Sequence, residues 1–290
     1  MMRFIFESDI PSWSNSDVLK ARLDRWVSAG LNAVILQVDD GHGATWQTDA
    51  WGADPRVSPR AIRDAVDTIH RRGLTVVGCV SLAVFNDFYS HYPALKLGDY
   101  QFPYYSFWNQ EFRDRRVKML SDLSQFCDLD GLALDYLRTG REAKGEESSA
   151  ETVLHTWMGQ VRDAISPGVP LLSVHHSSYA SGVKEGVNLV AWSDFDLIDG
   201  AVLFNYSPIF PASHLKGLQA ATSTGVWALM GNYDWINNQA VVRSGSDVAR
   251  TWRRVQREIL PDGAGIYLAN LLTEDQAFAI ANTQRMVKGL

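Results

Sequence analysis

Short runs of aliphatic and β-branched residues alternate with longer amphipathic segments along the whole chain, and eight such pairs can be counted. A strand followed by a helix, repeated without a break, is the pattern of a parallel sheet whose crossover helices cover its faces. The strand candidates are Arg3 to Ser8, Ala33 to Val38, Leu74 to Val80, Gly131 to Asp135, Pro170 to His175, Gly200 to Tyr206, Val226 to Gly231 and Gly265 to Asn270. Most read as nearly continuous apolar stretches, such as AVILQV, LTVVGCV and GAVLF, as strands buried on both faces must.

The helices carry start and stop signals. Ser58 stands where a cap is needed, Pro59 suits the first helical position, Ile62, Val66 and Ile69 share a face, and Gly73 ends the segment. Val248, Trp252, Val255 and Ile259 repeat at helical spacing before Pro261, and Thr273 with Gln276 forms a capping box for the last helix. Two more helices are expected from about Gln110 to Phe126 and from about Glu151 to Ile165. With no linker or low-complexity stretch, the chain is expected to be α/β, a single (β/α)8 TIM barrel domain over residues 1–290. An aromatic-rich loop is expected after strand 3, at about 83–109. The alternative is a doubly wound open sheet, but ESDIPSW stands after the first strand where that fold places a glycine-rich phosphate turn.

Composition removes several function classes. Hydrophobic residues make 46% and charged residues 21%, enough to bury a large core. The net charge of -6 leaves no basic footprint for nucleic acid or an anionic membrane, so neither is expected as a partner. Cys79 and Cys127 read as buried thiols rather than a disulfide or zinc framework. Glu7 and Asp9 interrupt the start before any signal-like stretch, and no apolar run approaches about 18 residues. A cytoplasmic location is the default expectation, with export by another route or carriage on a virus particle left open.

In such a barrel the chemistry belongs at the C-terminal ends of the strands, where the βα loops converge. That rule selects Glu7 and Asp9 after strand 1, Asp39 and Asp40 after strand 2, and Asp135 ending strand 4. It also selects His175 and His176 ending strand 5, Asn205 and Tyr206 after strand 6, Asn232 and Asp234 after strand 7, and Asn270 ending strand 8. From Phe85 to Trp108, ten of 24 residues are aromatic, Tyr104 and Trp108 among them, and Trp46, Trp51 and Trp235 stand in other top loops. Aromatic faces mixed with carboxylates and amides suit a sugar ring, whose C–H faces stack on π systems while its hydroxyls need donors and acceptors. Carbohydrate is therefore the expected ligand, and the aromatic loop packing on itself or forming an oligomer contact is the plainer alternative. Polar residues at strand starts, such as Asp130 and Asp199, are expected to hold the bottom of the barrel.

The segment CDLDGLALDYLRTG carries the most specific signal. It resembles in part the fourth-strand motif of family 18 chitinases, DGxDxDxE, which maps onto Asp130, Gly131, Ala133, Asp135 and Leu137. The general acid of that motif would stand at Leu137 and is missing. The segment is more similar to glycosyl hydrolase-like family 10 barrels and their relatives, whose strand 4 reads approximately FDGIHxDYIRYP. Asp130, Gly131, Asp135, Tyr136 and Arg138 match it, and LIDGAVLFNYSP is similar to the sixth-strand pattern. Thr139 and Gly140 replace that family's Tyr-Pro. The resemblance implies a glycosidase-like barrel, with some relatives acting on exopolysaccharides.

Glycoside cleavage usually takes two carboxyl groups, one protonated and one ionised. Asp135 is expected to be the nucleophile or base, with Arg138 favouring its ionised form. Its partner is left among Asp40, Asp234, Asp39, Glu7 and Asp9. Asp40 and Asp234 lead, because Asp39 crowds Asp40 while Tyr233 and Trp235 flank Asp234. Arg138, His175, His176, Asn205, Tyr206, Asn232 and Asn270 are expected to bind substrate with Glu7, Asp39, Trp46, Tyr104, Trp108 and Trp235. No cofactor or metal is expected: His175, His176, Asp39, Asp40 and His42 lack an HxH or HExxH spacing. A carbohydrate-binding barrel without catalysis is the second function class, and a metal-dependent hydrolase or deacetylase the third.

Overall fold

The structure, a computed structural model, describes residues 1–84, 92, 95, 104–139, 147–207, 209–237, 239–259 and 261–287. Most of the aromatic loop expected after the third strand, including Tyr89 and Tyr100, and also Gly140, lie outside the described residues.

Eight parallel strands close into a barrel. In chain order they are β1 (Met2–Glu7), β2 (Ala33–Asp39), β3 (Thr75–Ser81), β4 (Gly131–Asp135), β5 (Leu171–His176), β6 (Gly200–Asn205), β7 (Gly225–Gly231) and, after a hairpin, β10 (Gly263–Tyr267), which pairs back with β1. The hairpin is β8 (Tyr233–Ile236) with β9 (Gln239–Val242), an antiparallel pair that the periodicity does not foretell. Around the barrel run α2 (Ser16–Ser28), preceded by the single turn α1 (Ile10–Trp13), then α3 (Pro59–His70), α4 (Gln110–Phe126), α5 (Glu147–Ala164), α6 (Leu189–Asp194), α7 (Ala212–Ala221), α8 (Gly245–Arg254) and α9 (Glu274–Val287). Thr273 and Gln276 exchange the two bonds of a capping box at α9, at 3.2 and 3.3 Å. Ser58 occupies the cap position of α3, but its side chain makes no capping bond. Among the described residues no helix is long and apolar enough to cross a membrane.

Alternation along each strand sends one set of side chains inward. Phe4, Phe6, Ile35, Val77, Cys79, Ala133, Leu172, Val174, Val202 and Leu229 fill the barrel, and the opposite set packs under the helices. Glycine makes room for the largest inward rings. A Cβ on Gly265 would stand 2.3 Å from the Phe4 ring, and one on Gly263 would stand 2.7 Å from Trp227.

The bottom of the barrel is fastened by a repeated device. Asn32 accepts the N–H of Arg3 at 2.7 Å, Asp130 that of Val76 at 2.7 Å, Asp199 that of Leu171 at 2.7 Å and Asp262 that of Val226 at 2.8 Å. Each side chain at a strand's start thus satisfies a backbone donor at the start of a neighbouring strand.

Candidate active site

Asp135 is the last residue of β4 and lies beside Ser81 of β3. Its parity is that of Ala133, which faces the barrel interior, so its carboxyl enters a cleft of about 450 Å³ at the C-terminal mouth. The cleft is lined by Asp135 together with Tyr136, Arg138, His176, Tyr206 and Tyr267, and also by Phe6, Ser8, Gln37, Asp40 and Ser81.

Asp135 Oδ1 accepts the backbone N–H of Tyr136 at 2.7 Å, and Tyr136 holds φ 54. A non-glycine residue in the left-handed region costs on the order of 1 kcal/mol, and such turns are concentrated at sites where a side chain must be aimed. Burial pushes the Asp135 carboxyl up to about 6, against smaller opposing effects from the Tyr136 N–H and Arg138. Arg138 therefore does not set the charge of Asp135 as expected. Its guanidinium donates to Tyr104 Oη at 3.1 Å and Tyr179 Oη at 3.3 Å and lies 3.7 Å from Glu185.

Asp40 is the other carboxylate at the cleft. Burial pushes it up, but hydrogen bonds from Arg56 at 2.7 Å and with His42 at 2.9 Å outweigh that and hold it below the usual carboxylate range. The crowding by Asp39 expected to raise it does not decide its acidity.

His176 stands half-buried at the cleft, its ring edge-on to Phe204 at 5.5 Å. Its Nδ1 accepts the N–H of Ser178 at 3.2 Å and lies 2.9 Å from Ser178 Oγ. This assigns the proton of the neutral ring to Nε2. Tyr206 stacks on Phe204 at 5.1 Å and on Tyr267 at 4.9 Å, giving the cleft an aromatic wall. Gly231 lies beneath Tyr206, where a Cβ would come within 3.1 Å of the Tyr206 backbone.

Of the remaining candidates, His175 borders this cleft and the structure does not bring the others into it. Glu7 faces outward and is fully buried, 2.5 Å from Arg22. Asp9 caps α1. Asp39 turns toward α4 and pairs with Arg116 at 2.8 Å, both side chains fully buried, with the guanidinium 3.9 Å from the Trp51 ring centre. Trp46 is buried in the core and Trp108 is half-buried away from the cleft lining. Tyr104 meets the site through Arg138 and the Tyr136 ring. The His175 ring lies on the outer side of β5, 2.6 Å from Ser173 Oγ and packed on Tyr179 and Trp192, and burial holds it neutral with a pKa of about 3. Asn205 bonds Ser177 and Ser207. Asn232 is buried and bonds Leu268 and Gln276. Asn270 is exposed in a short turn. Asp234 lies on β8 with Arg243 Nε donating to it at 3.0 Å, so it is ion-paired rather than flanked by aromatics alone. Trp235 is 63% exposed on the same hairpin.

Parity explains this sorting. The inward set is even on β1, β5 and β6, so Ser8, His176 and Tyr206 reach the mouth, whereas their neighbours Glu7, His175 and Asn205 turn to the helices. Phe6, Gln37, Ser81, Phe204 and Tyr267 lie outside the strand-end candidates, although the same alternation points to each. The five residues considered for a metal do not converge, and among the described residues no three His, Cys, Asp or Glu side chains form a metal-holding group. The GHG turn is explained by packing: Gly41 and Gly43 have φ 93 and 134, and a Cβ on Gly43 would lie 2.8 Å from the backbone at 52–54.

No family model matches the chain, and no curated protein matches it. Solved structures do. The chain is similar to alpha-L-fucosidase isoenzyme 2 from Paenibacillus thiaminolyticus, with TM-score 0.72 and 13% identity over 99% of this chain and 49% of that one, so it spans about half the length of that protein. It is similar to the PgaB (BpsB) glycoside hydrolase domain from Bordetella bronchiseptica, with TM-score 0.72 and 13% identity over 99% of this chain and 98% of that domain. The beta-galactosidase from Marinomonas ef1 gives TM-score 0.69 and 11% identity over 100% of this chain and 61% of that one. At these identities the likeness establishes the fold, a closed (β/α)8 barrel of the kind those glycoside hydrolases use.

Proposed function

We propose that the cleft binds a polysaccharide or oligosaccharide and hydrolyses a glycosidic bond, with Asp135 exchanging the proton. The observation that carries this is a half-buried carboxyl at the barrel mouth, without a paired cation among the described residues, facing a wall of stacked tyrosines. A pKa near 6 leaves Asp135 able both to give a proton to the leaving oxygen and to recover it near neutral pH. Asp40, held ionised by Arg56, is the partner that favours positive charge developing on the sugar ring. Environments that push two acidities apart mark the acid and the ionised partner. The order here reverses the roles expected from the sequence. His176 Nε2–H and the Arg138 guanidinium supply donors to sugar hydroxyls, and Tyr206 and Tyr267 supply the stacking face. Likeness to glycoside hydrolase barrels supports the same substrate class.

A second reading, a carbohydrate-binding barrel without turnover, is favoured by one observation: Asp40 is already clamped by Arg56 and His42. Reducing-end release and binding measured on one panel of polysaccharides separate the two. Cleavage of a bound glycan that stops in Asp135→Asn supports the enzyme; binding to the panel with no cleavage by the wild-type chain overturns it.

A further inference from the structure

Three neighbouring strands each bring a polar side chain to the cleft as their last inward residue: Gln37 on β2, Ser81 on β3 and Asp135 on β4. Ser81 and Asp135 are partners in register, while Gln37 is level with Cys79, one inward position deeper. Of the three, the proposed proton transfer uses Asp135 alone. Gln37 and Ser81 are each 4% exposed.

A buried amide needs partners at both ends. The nitrogen end of Gln37 has them: Nε2 donates to the Asp39 carbonyl at 2.5 Å and to Ser81 Oγ at 3.1 Å, and lies 3.4 Å from the Cys79 carbonyl. Two of these neighbours are backbone carbonyls, which only accept, so the nitrogen must stand on that side and the oxygen on the other. Among the described residues Oε1 accepts nothing, yet it is not one of the unpartnered polar atoms sealed from solvent, so it opens into the cleft that the residue lines. Ser81 Oγ accepts the amide N–H and makes no other bond among the described residues, which leaves its own O–H to the cleft as well.

An acceptor and a donor therefore stand side by side, fixed by the fold next to the Asp135 carboxyl. A hydroxyl satisfies both at once, giving its proton to Gln37 Oε1 and accepting that of Ser81. A carbonyl, a carboxylate or an ammonium satisfies only one. We propose that Gln37 and Ser81 read one ring hydroxyl of the sugar unit at the floor of the cleft, the unit whose bond Asp135 acts on, and so set which sugars are accepted. This rests on the glycosidase reading and adds a specificity-determining pair to it. A ring lacking that hydroxyl would cover Oε1 and the Ser81 O–H without partners, which is how a site built to bond a hydroxyl rejects its deoxy analogue.

The test uses p-nitrophenyl trisaccharides of the gluco, galacto and manno series, each as the parent and as its single-deoxy forms in the ring that carries the nitrophenyl group. Nitrophenol release gives kcat/KM, and calorimetry gives Kd. In the series that the wild-type chain takes, one deoxygenation is expected to lower kcat/KM by about 10- to 100-fold, and the others by less. Ser81→Ala should weaken the parent several-fold and that deoxy form hardly at all, so the ratio between them shrinks, and Gln37→Leu should bring the ratio close to one. Should Gln37→Leu not fold, Ser81→Ala alone decides. A purely structural role, or a water held by the pair in place of a hydroxyl, would lower parent and deoxy form together and leave the ratio unchanged. That result, or a wild-type ratio near one at every position, overturns the inference. Cleavage without deoxy discrimination defeats only this inference; binding with discrimination but no nitrophenol release defeats only the glycosidase reading. A panel that the wild-type chain neither binds nor cleaves counts against both.

Discussion

Asp130 and Asp135 stand at the two ends of one five-residue strand, and their surroundings differ in kind. Asp130, at the bottom, accepts the N–H of Val76 at 2.7 Å and lies 2.9 Å from His70 Nε2, so its charge is shared between a backbone donor and a side chain. Asp199 repeats the arrangement with Leu171 and Arg162. Asp135, at the top, receives the N–H of the next residue, and burial pushes it up to about 6. A carboxylate whose bonds are filled by the fold holds the fold together. One that is half-buried at a cleft with acceptor capacity to spare is left for a ligand or a proton. Not every acid at the top belongs to the second kind: Asp39 is locked to Arg116 and behaves, by its contacts, as a structural acid placed at the functional end.

The largest effect expected is on turnover. Asp135→Asn keeps an oxygen for the Tyr136 N–H, so the turn survives, but the side chain no longer exchanges a proton. Loss of a general acid or base costs about 10²- to 10⁴-fold, and kcat on a cleaved glycan should fall within that range while the circular dichroism spectrum is unchanged. Retention of turnover would erase the distinction between the two ends of β4. Next in size is Arg116→Met, which leaves Asp39 fully buried and without its cation. Breaking one side of such a pair costs about 3 to 5 kcal/mol, to be read as a lowered denaturation midpoint. Adding Asp39→Asn should recover part of it, because the stranded charge is gone. A neutral Arg116→Met would place Asp39 with the functional acids after all.

How far the sequence discloses this arrangement depends on the physical period involved. The eight β/α units were legible because buried parallel strands are continuous apolar runs, and β4 matches Gly131 to Asp135 residue for residue. The hairpin at β8–β9 was not, because YDWI and QAVV are short and β9 is fully exposed, so no burial pattern is imprinted on them. Within the site, strand ends are legible but facing adds a second condition: the strand-end rule points to Glu7 where Ser8 lines the cleft, and alternation along GAGIY places Tyr267 inward. Ion pairs between distant segments tie Asp39 to Arg116 and Asp40 to Arg56, and such pairings follow from the packing of loops and helices rather than from local pattern.

A third consequence of the comparison is a pH dependence of stability set at the top end of β4. Because the folded carboxyl of Asp135 holds its proton up to about 6, against an unfolded value near 3.8, the folded state binds more protons between those limits. Stability contributed by Asp135 is therefore present below about pH 4 and lost as pH rises through 6, by something on the order of 2 kcal/mol once solvent screening at the mouth is allowed for. Asp135→Asn should remove that loss, so the variant is the more stable protein at pH 7 and equals the wild type near pH 4. Thermal melts of both proteins across that range measure it. A wild-type advantage at pH 7 would mean that Asp135 is stabilised as an ion, contrary to its burial.

The smallest effect belongs to the bottom acids, and here two substitutions at one position separate charge from hydrogen bonding. Asp130→Asn keeps an acceptor for Val76 N–H and gives up only the charge facing His70, a partly exposed pair worth about 0 to 1 kcal/mol. Asp130→Ala takes away the acceptor itself and leaves the N–H at the start of β3 unsatisfied, which costs about 1 to 3 kcal/mol. Denaturant midpoints should therefore rank wild type close to Asn and both above Ala, with turnover of the folded protein the same in all three. If Asn proved as damaging as Ala, the Asp130 charge rather than its geometry would be the fastening, and the repeated device would have to be rebuilt around cations. Asn32 argues against that outcome, since it performs the same task for Arg3 N–H without any charge.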